Sequence, residues 1–420
     1  MSDGGIVADS ASRGSSGTGA GAAARSDDMT REPGRLEFTL LLSMLMGLVA
    51  LSIDLMLPAL GDIALDLHAS EGNARQAVIW CLFLGLGVGQ LVFGPLSDAL
   101  GRRPAIFAGT ALFVLGSLLA ATADTFGALL AARLLQGFGA AGPRLVSVAM
   151  VRDRLSGPEM ASLLSTVATV FILAPVLAPS IGELALALTT WRGLFVALAA
   201  SALAGAAWLA VRQPETLLSR RPLAVAPVVH AFAEVLRSRR ALSVTIAAAC
   251  AYGSLMGYVY SSQQLFQDGF GAGERYALLF GGSAAFIAAG TWTNARIVVR
   301  FGTDRVCRVA LGAQLAWAGA WTLWLLGGHP PSLVGWLVFS CPALFAGGLT
   351  YGNFNAMALE PLGHVAGTAA AVVASLQTLL GAAVAGSIGA AWNGTVLPVV
   401  VGYALCAAIA LGFLRRSVAA

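Results

Sequence analysis

The sequence predicts an all-α polytopic membrane protein with twelve transmembrane helices, and three observations predict this class. Of its 420 residues, 57% are hydrophobic and 11% are charged, and the mean hydropathy is +0.79. A soluble protein carries roughly 25% charged residues, so this chain has too few to cover a surface that faces water. The apolar residues form blocks of roughly 20, the length that crosses a bilayer as a helix. A polar stretch in the middle of the chain divides these blocks into two six-helix halves.

The chain begins with a segment rich in Gly, Ser and Ala, residues 1–34, which we predict to be a disordered cytoplasmic tail. The following N-terminal half, 35–211, holds predicted spans near 37–60, 75–97, 104–123, 126–149, 160–183 and 190–211. A cytoplasmic linker, 212–240, comes next. The C-terminal half, 241–416, holds predicted spans near 241–263, 275–298, 306–327, 332–358, 366–390 and 395–414. Residues 417–420 form a short tail.

Arginine placement predicts the orientation of the spans. If the N-terminus is cytoplasmic, the inner loops, the linker and the C-terminal end hold most of the arginines that flank the spans, whereas the outer loops hold Arg75, Arg192 and Arg275. This asymmetry places both termini in the cytoplasm. The formal net charge of +4 therefore reflects membrane topology, and we expect no nucleic-acid partner.

The loop Gly94–Pro104 stands between the second and third predicted spans and reads G-P-L-S-D-A-L-G-R-R-P. Its acid, Asp98, lies near the end of one helix, and Arg102 and Arg103 lie just beyond it. Such a cluster can hold neighbouring helices together through charge-assisted hydrogen bonds that break when the helices rearrange. An ordinary positively charged inner loop would need only the two arginines.

The two halves carry related turns, which predicts that they are pseudo-symmetric. When the halves are aligned so that Gly101 falls on Gly302, a second arginine-containing turn follows at the same place, whereas Asp98 falls on Val299. The second half therefore contains a degenerate copy of the loop. Six-helix halves related by an axis along the membrane normal are an arrangement of transporters.

Asp54 lies inside the first predicted span, where an acid costs roughly 3 kcal/mol and should face the interior of the bundle. Arg133 lies in the fourth span, and both residues fall about 12 Å below the outer surface. We hypothesise that Asp54 is the protonatable carboxylate and that Arg133 is an electrostatic partner that modulates it. Two other interpretations stay open: a structural ion pair that only aids assembly, and an Asp54 that caps a helix or reaches the interface.

The fifth predicted span contains Pro175, Pro179 and Gly182, and prolines spaced by four bend a helix while small residues permit close packing. Ordinary membrane-helix proline is the alternative interpretation.

For the substrate cavity, we expect aromatic and amide side chains of the interior, which suit moderately apolar, weakly polar or cationic molecules. The candidates are Gln90, Gln136, Tyr252, Tyr258, Trp292 and Gln377.

Several motifs are absent from the sequence. It contains no phosphate-binding G-x-x-x-x-G-K-[ST], so we expect no ATP hydrolysis. It contains no G-x-S-x-G or H-E-x-x-H and no clustered Cys and His, so we expect no enzyme activity, no metal and no cofactor.

Several of these motifs together resemble the major facilitator superfamily. Gly94, Asp98, Gly101, Arg102 and Arg103 match the loop signature between its second and third spans. Arg133 with Gln136 matches its fourth span, and Pro175, Pro179 and Gly182 resemble the antiporter motif of its exporting branches, although Glu183 replaces a usual glycine. Asp54 followed by Leu57–Leu60, and the V-R-D of Val151–Asp153, resemble the bicyclomycin/chloramphenicol-resistance (Bcr/CflA) branch of multidrug efflux proteins.

The resemblance implies a drug:proton antiporter of the bacterial inner membrane. Asp54 would be the proton site, Arg133 would couple protonation to substrate, and Asp98, Arg102 and Arg103 would latch the cytoplasmic side when the outer side is open. The expected partners are a small molecule, protons and the lipid bilayer, and we expect a monomer.

Three alternatives stay open. An exporter of a metabolite, of amino-acid, sugar or siderophore type, would share every motif. A uniporter would not need Asp54. A non-transporting membrane sensor or scaffold would need neither the related halves nor Asp54 with Arg133.

Overall fold

The computed structural model describes residues 34–69, 74–217, 219–220, 222–223 and 226–418, and these residues form helices joined by short connections. The predicted N-terminal tail, apart from Gly34, lies outside the described residues. The helices are α1 (Arg35–Asp54), α2 (Leu60–Asp66), α3 (Ala77–Leu100), α4 (Arg102–Ala121), α5 (Phe126–Arg154), α6 (Gly157–Leu188), α7 (Trp191–Arg212), α8 (Ala226–Arg237), α9 (Arg239–Gln263), α10 (Tyr276–Phe301), α11 (Thr303–Leu326), α12 (Leu333–Leu359), α13 (Ala366–Ala390) and α14 (Leu397–Val418).

Every predicted apolar block overlaps one of these helices. Among the described residues, 10 helical segments are long and apolar enough to cross a membrane, which agrees with a multi-pass membrane protein. The helices α6 and α10, which have 32 and 26 residues, are not among those segments. The exact number of twelve spans therefore stays a prediction.

The first predicted span is broken at Asp54. Helix α1 ends there, a 3₁₀ turn follows at Leu57–Ala59, and α2 begins at Leu60. Pro58 explains the break, because a proline has no backbone N–H and its ring clashes with the carbonyl four residues earlier, which is that of Asp54. The proline therefore places Asp54 at a helix end within the bundle.

The helices form two groups with the same packing pattern. In the first group α5 packs against α3 and α4, α4 against α7, and α1 against α6. In the second group α12 packs against α10 and α11, α11 against α14, and α9 against α13. The groups meet along two seams, α3 with α13 and α6 with α10. The six helices α1 and α3–α7 can be matched in chain order to the six helices α9–α14. With this matching, each helix–helix contact within the first group has a counterpart within the second group.

Glycines bring the backbones of α3 and α5 into direct contact. A Cβ atom on Gly85 would lie 1.9 Å from the Leu134 carbonyl oxygen, and a Cβ atom on Gly137 would lie 1.9 Å from the Leu82 carbonyl oxygen. Neither position has room for a side chain, so these two helices are held as one unit.

The predicted linker contains a helix that we did not predict, α8. It packs against α13 and α9, and it buries Ala231 and Val235, which are one helical turn apart. The segment is clearly amphipathic, but with 12 residues it is too short to cross a bilayer, so a search for membrane-length apolar blocks passes over it. Helix α14 runs to Val418, beyond the predicted boundary at 416.

Replacement of Gly137 by alanine tests the α3–α5 contact. We expect Gly137→Ala to lower the free energy of unfolding by about 1–3 kcal/mol, because the added methyl group must push two backbones apart. The matched control is Gly127→Ala in the same helix, where a Cβ atom would meet nothing within 4 Å. Thermal unfolding in detergent measures both. Equal melting temperatures for the two variants would contradict this packing.

Candidate functional site

A cavity of about 320 Å³ lies between the two groups of helices. The first group contributes residues of α1, α3 and α5 to its wall, and the second group contributes residues of α9, α10 and α12. Most of the lining side chains are aliphatic or aromatic. Two are charged, Asp54 of α1 and Arg144 of α5.

Asp54 is buried, with 4% of its surface exposed, and it lines this cavity. Within the described residues, the structure records no ion pair or hydrogen bond for its side chain. Because an isolated acid is costly in the membrane interior, such a residue marks a candidate site of proton or ligand exchange. Its position inside the bundle agrees with the sequence-based expectation.

Arg133 lies beside the segment that carries Asp54, but among the described residues no bond joins their side chains. Its guanidinium is fully buried and donates to the carbonyl oxygens of Ser52 (2.9 Å) and Val78 (3.0 Å) and to Oε1 of Gln136 (2.6 Å). These bonds join α5 to α1 and α3. The contacts of the described residues therefore include no direct bond between the two side chains. Arg133 instead binds the backbone of Ser52, two residues before Asp54, and its modulation of Asp54 stays a prediction.

Two of the six candidates for the substrate cavity line it, Tyr252 and Tyr258. The hydroxyl group of Tyr258 is hydrogen-bonded to that of Ser283 at 2.6 Å. Rings continue from Phe83 through Tyr252 to Tyr351, with centroids 5.9 and 5.6 Å apart. One wall of the cavity is therefore aromatic.

The other four candidates are not among the lining residues. Gln136 donates to Ser117 Oγ at 2.7 Å between α4 and α5, and Gln90 accepts from Thr378 Oγ1 at 3.4 Å on the α3–α13 seam. Gln377 is partly buried outside the cavity wall. Trp292 is 63% exposed, because its neighbour Thr291 faces the cavity and successive helical side chains point about 100° apart.

Arg144 is the functional candidate that sequence reasoning missed. It follows Pro143 in α5, is half-buried and lines the cavity. The signal was present as an arginine inside an apolar stretch, but the face on which it lies could not be read without the packing of α5.

Gly182 of α6 packs directly against the break in the first span. A Cβ atom there would lie 2.5 Å from the Leu55 carbonyl oxygen and 3.2 Å from Cγ of Pro58. Pro179 is buried in the same helix, and the side chain of Pro175 lies outside the described set. The proline and glycine motif therefore contacts the segment that carries Asp54.

The charged side chains of the Gly94–Pro104 loop form a cluster within the first group. Arg102 donates from Nη1 to Asp98 Oδ1 (2.5 Å) and from Nε to Asp153 Oδ2 (2.7 Å). Arg103 donates to the carbonyl oxygen of Ala210 at 2.8 Å. Asp153 lies at the end of α5, so the cluster joins α3, α4, α5 and α7. Gly94 faces α13, with Ala371 next to it.

Glu215, which sequence reasoning did not single out, completes this cluster. Its carboxylate accepts from the backbone N–H groups of Arg102 (2.9 Å) and Arg103 (3.1 Å), where it satisfies the first free donors of α4. Gly101 precedes them with φ +115° and ψ 162°, and Gly302 precedes α11 with φ +77° and ψ 156°. Both glycines have a positive φ and an extended ψ, so the turn predicted to be repeated has a similar backbone conformation in both groups.

At the opposite end of the bundle, polar contacts cross between the groups. Arg75 forms an ion pair with Asp268 at 3.0 Å and donates to Gln263 Oε1 at 2.9 Å. Gln76 donates to Gln264 Oε1 at 2.6 Å, and Glu183 accepts from the backbone N–H of Ala277 at 3.2 Å. These contacts close the bundle beyond Asp54.

The fold and the cavity define a multi-pass membrane transporter, and comparisons with known proteins identify its family. The chain belongs to the Major Facilitator Superfamily, whose model matches residues 42–386. This confirms the family predicted from the loop and span motifs. Members of this family are transporters and not enzymes.

Similar proteins include an uncharacterized MFS-type transporter, YdgK, of Bacillus subtilis, 32% identical over 84% of this chain and 89% of its own length. A bicyclomycin resistance protein homolog of Haemophilus influenzae is 27% identical over 91% of this chain and 96% of its own length. It matches the drug-efflux branch named by the resemblance. The crystal structure of a D-xylose–proton symporter has a TM-score of 0.69 at 14% identity, covering 90% of this chain and 97% of that one, and it supports the fold.

We expect Arg133→Gln to destabilise the protein strongly. The variant leaves buried acceptors on α1 and α3 without a donor, and each hydrogen bond to a charged donor contributes about 1.5–3 kcal/mol. Arg152→Gln, in the same helix but exposed, is the control. Thermal unfolding in detergent compares them, and a variant as stable as the control would show that Arg133 does not hold these helices.

Alanine at the two matching glycines tests the loop cluster. Both Gly101→Ala and Gly302→Ala place a side chain in a backbone region that suits glycine, at a cost of about 1–3 kcal/mol. At Gly101 the new Cβ atom would also lie 2.6 Å from Oε2 of Glu215, whereas nothing lies within 4 Å at Gly302. We therefore expect the larger loss of thermal stability for Gly101→Ala. The reverse order would refute the role given to Glu215.

Proposed function

We propose that this protein exports drugs or other small amphipathic molecules across the bacterial inner membrane in exchange for protons. The observation that carries the proposal is the buried carboxylate of Asp54 in the cavity between the two helix groups. A transporter that only equilibrates its substrate needs no such acid. Its similarity to a bicyclomycin resistance protein homolog supports drugs as the substrate class.

The proposed transport mechanism is alternating access by two pseudo-symmetric six-helix halves, 35–211 and 241–416, with twelve spans in all. The recurrence of each helix contact in the second group supports this arrangement, as does the shared conformation of Gly101 and Gly302. The seams α3–α13 and α6–α10 are then the surfaces along which the halves rock. Both termini lie in the cytoplasm in this proposal, and the protein acts as a monomer.

The contacts of Arg75, Gln76 and Glu183 are consistent with a state that is closed at the outer side. In the cycle, a proton from outside neutralises Asp54 and releases the substrate there, and loss of that proton to the inside resets the site. One charge moving through 100 mV supplies about 2.3 kcal/mol.

The break at Pro58 and its contact with Gly182 let α1 and α6 adjust around Asp54 during this cycle. Arg102, with Asp98 and Asp153, holds the loop end of the first half together, and we propose that this cluster latches the cytoplasmic side when the outer side opens.

Replacement of Asp54 by asparagine tests the function. We expect Asp54→Asn to reduce proton-driven transport in inverted membrane vesicles more than tenfold while the protein still folds, because the amide cannot exchange a proton. Asp62→Asn, an exposed acid of α2, is the control. Substrate-dependent proton movement, read with a pH-sensitive dye, provides the measurement. An Asp54→Asn variant that transports as well as Asp62→Asn would overturn the proposal.

Drug susceptibility of an expressing strain, with and without an uncoupler, provides the matching test in cells. The proposal requires that the wild-type chain protects the strain and that the uncoupler removes this protection. Protection that survives the uncoupler would contradict proton coupling.

A further inference from the structure

The cavity carries two opposite charges, and their placement bears on what it binds. Asp54 stands at the end of α1, and Arg144 stands on α5. Arg133 binds the carbonyl oxygen of Ser52, two residues before Asp54, so it lies near Asp54 along the bundle. Arg144 lies about three helical turns, or about 16 Å, further along α5, toward the Gly94–Pro104 loop. The backbone positions that carry the carboxylate and the guanidinium therefore lie at different levels of one cavity, with Arg144 nearer the loop.

The wall between the two charges is aromatic and apolar. Phe83, Tyr252 and Tyr351 form a continuous series of edge-to-face rings, and Leu255, Met256 and Ile287 add aliphatic surface. Thr291 and Asn355 supply the neutral polar groups. A volume of about 320 Å³ falls at the lower end of the range of pockets for drug-sized ligands, roughly 300–1,000 Å³.

We propose that the substrates are amphipathic zwitterions, with a cationic group bound at Asp54 and an anionic group bound at Arg144. This inference rests on the proposed function and names its substrate class. A guanidinium has five N–H donors in a planar fork, so it can bind a carboxylate or a similar anion with two hydrogen bonds while keeping a protein contact. The aromatic wall binds the body of the molecule between its charged ends.

The charge arrangement also fits exchange with a proton. A substrate cation at Asp54 and a proton on Asp54 exclude each other, so protonation weakens one end of the binding site. A substrate with only an anionic group would instead bind more tightly once Asp54 is neutral, which is the wrong sign for exchange. A substrate with only a cationic group would leave the positive charge of Arg144 facing it.

The test uses one scaffold in three charge forms: ciprofloxacin, which is a zwitterion, its carboxylate ester, which is a cation, and its N-acyl derivative, which is an anion. Binding to the purified full-length protein is measured by fluorescence, and proton movement is measured in proteoliposomes. We expect the wild-type chain to bind the zwitterion at least tenfold more tightly than either other form.

We expect Arg144→Gln to remove the preference for the zwitterion over the ester, and Arg144→Lys to retain part of it. Arg152→Gln, exposed on the same helix, should leave the ratio unchanged. Thermal unfolding checks that each variant folds. If Arg144→Gln does not fold, the preference for the zwitterion over the ester is measured on Arg144→Lys instead. An Arg144→Gln protein that keeps the preference, a wild-type protein that prefers the ester or the N-acyl form, or binding of none of the three forms would overturn the inference.

Proton movement separates this inference from the proposed function. If the ester drives proton movement as well as the zwitterion does, the substrate class is wrong and proton exchange stands. If a form binds but no form drives proton movement, the exchange function fails, and the binding ratios alone decide the role of Arg144.

Discussion

The arrangement of the cavity depends on one buried guanidinium. Arg133 is fully enclosed and uses its donors on the backbones of α1 and α3 and on Gln136 of its own helix. A buried charge is tolerated when its hydrogen bonds are satisfied, and here the partners are carbonyl and amide oxygens instead of a carboxylate. The end of α1 is thereby fixed against α5 while Asp54 is left without a salt bridge. In the proposed cycle, this leaves the acid able to exchange a proton.

The first group is built for rigidity, and the α3–α13 seam is built differently. Within it, Gly85 and Gly137 bring α3 and α5 into backbone contact, and Arg102 with Glu215 joins the loop to the ends of α5 and α7. Across the α3–α13 seam, contacts are made by side chains, such as Ser375 Oγ donating to the Gly87 carbonyl oxygen at 2.6 Å. Side-chain contacts can be exchanged during a rearrangement at lower cost than interlocked backbones, so the group is expected to move as a body.

Much of the fold could be predicted from the sequence, because apolar blocks of membrane length have few alternatives. The interior position of Asp54 followed from the cost of an acid in lipid, and the family followed from the spacing of the loop residues. The break at Asp54 was also encoded, by Pro58 four residues later, but we read the block as one helix. Arg144, Gln136 and Trp292 were misjudged for one reason: apolarity all round a membrane helix hides which face turns inward. Thr291 and Trp292 are consecutive in α10, yet Thr291 lines the cavity and Trp292 is exposed outside it. The linker helix α8 was missed because its apolar face is short.

The binding of Glu215 to the start of α4 also has a consequence for chain length. The linker does not leave the first half at the end of α7, since Glu215 and Thr216 are still anchored there, Thr216 through its hydroxyl bond to Asp153. Helix α8, from Ala226, is already docked on α9 and α13. About nine residues separate Thr216 from Ala226, and a chain of that length spans at most about 30 Å. In the proposed rocking cycle, this tether sets an upper limit on how far the halves can part at the loop end.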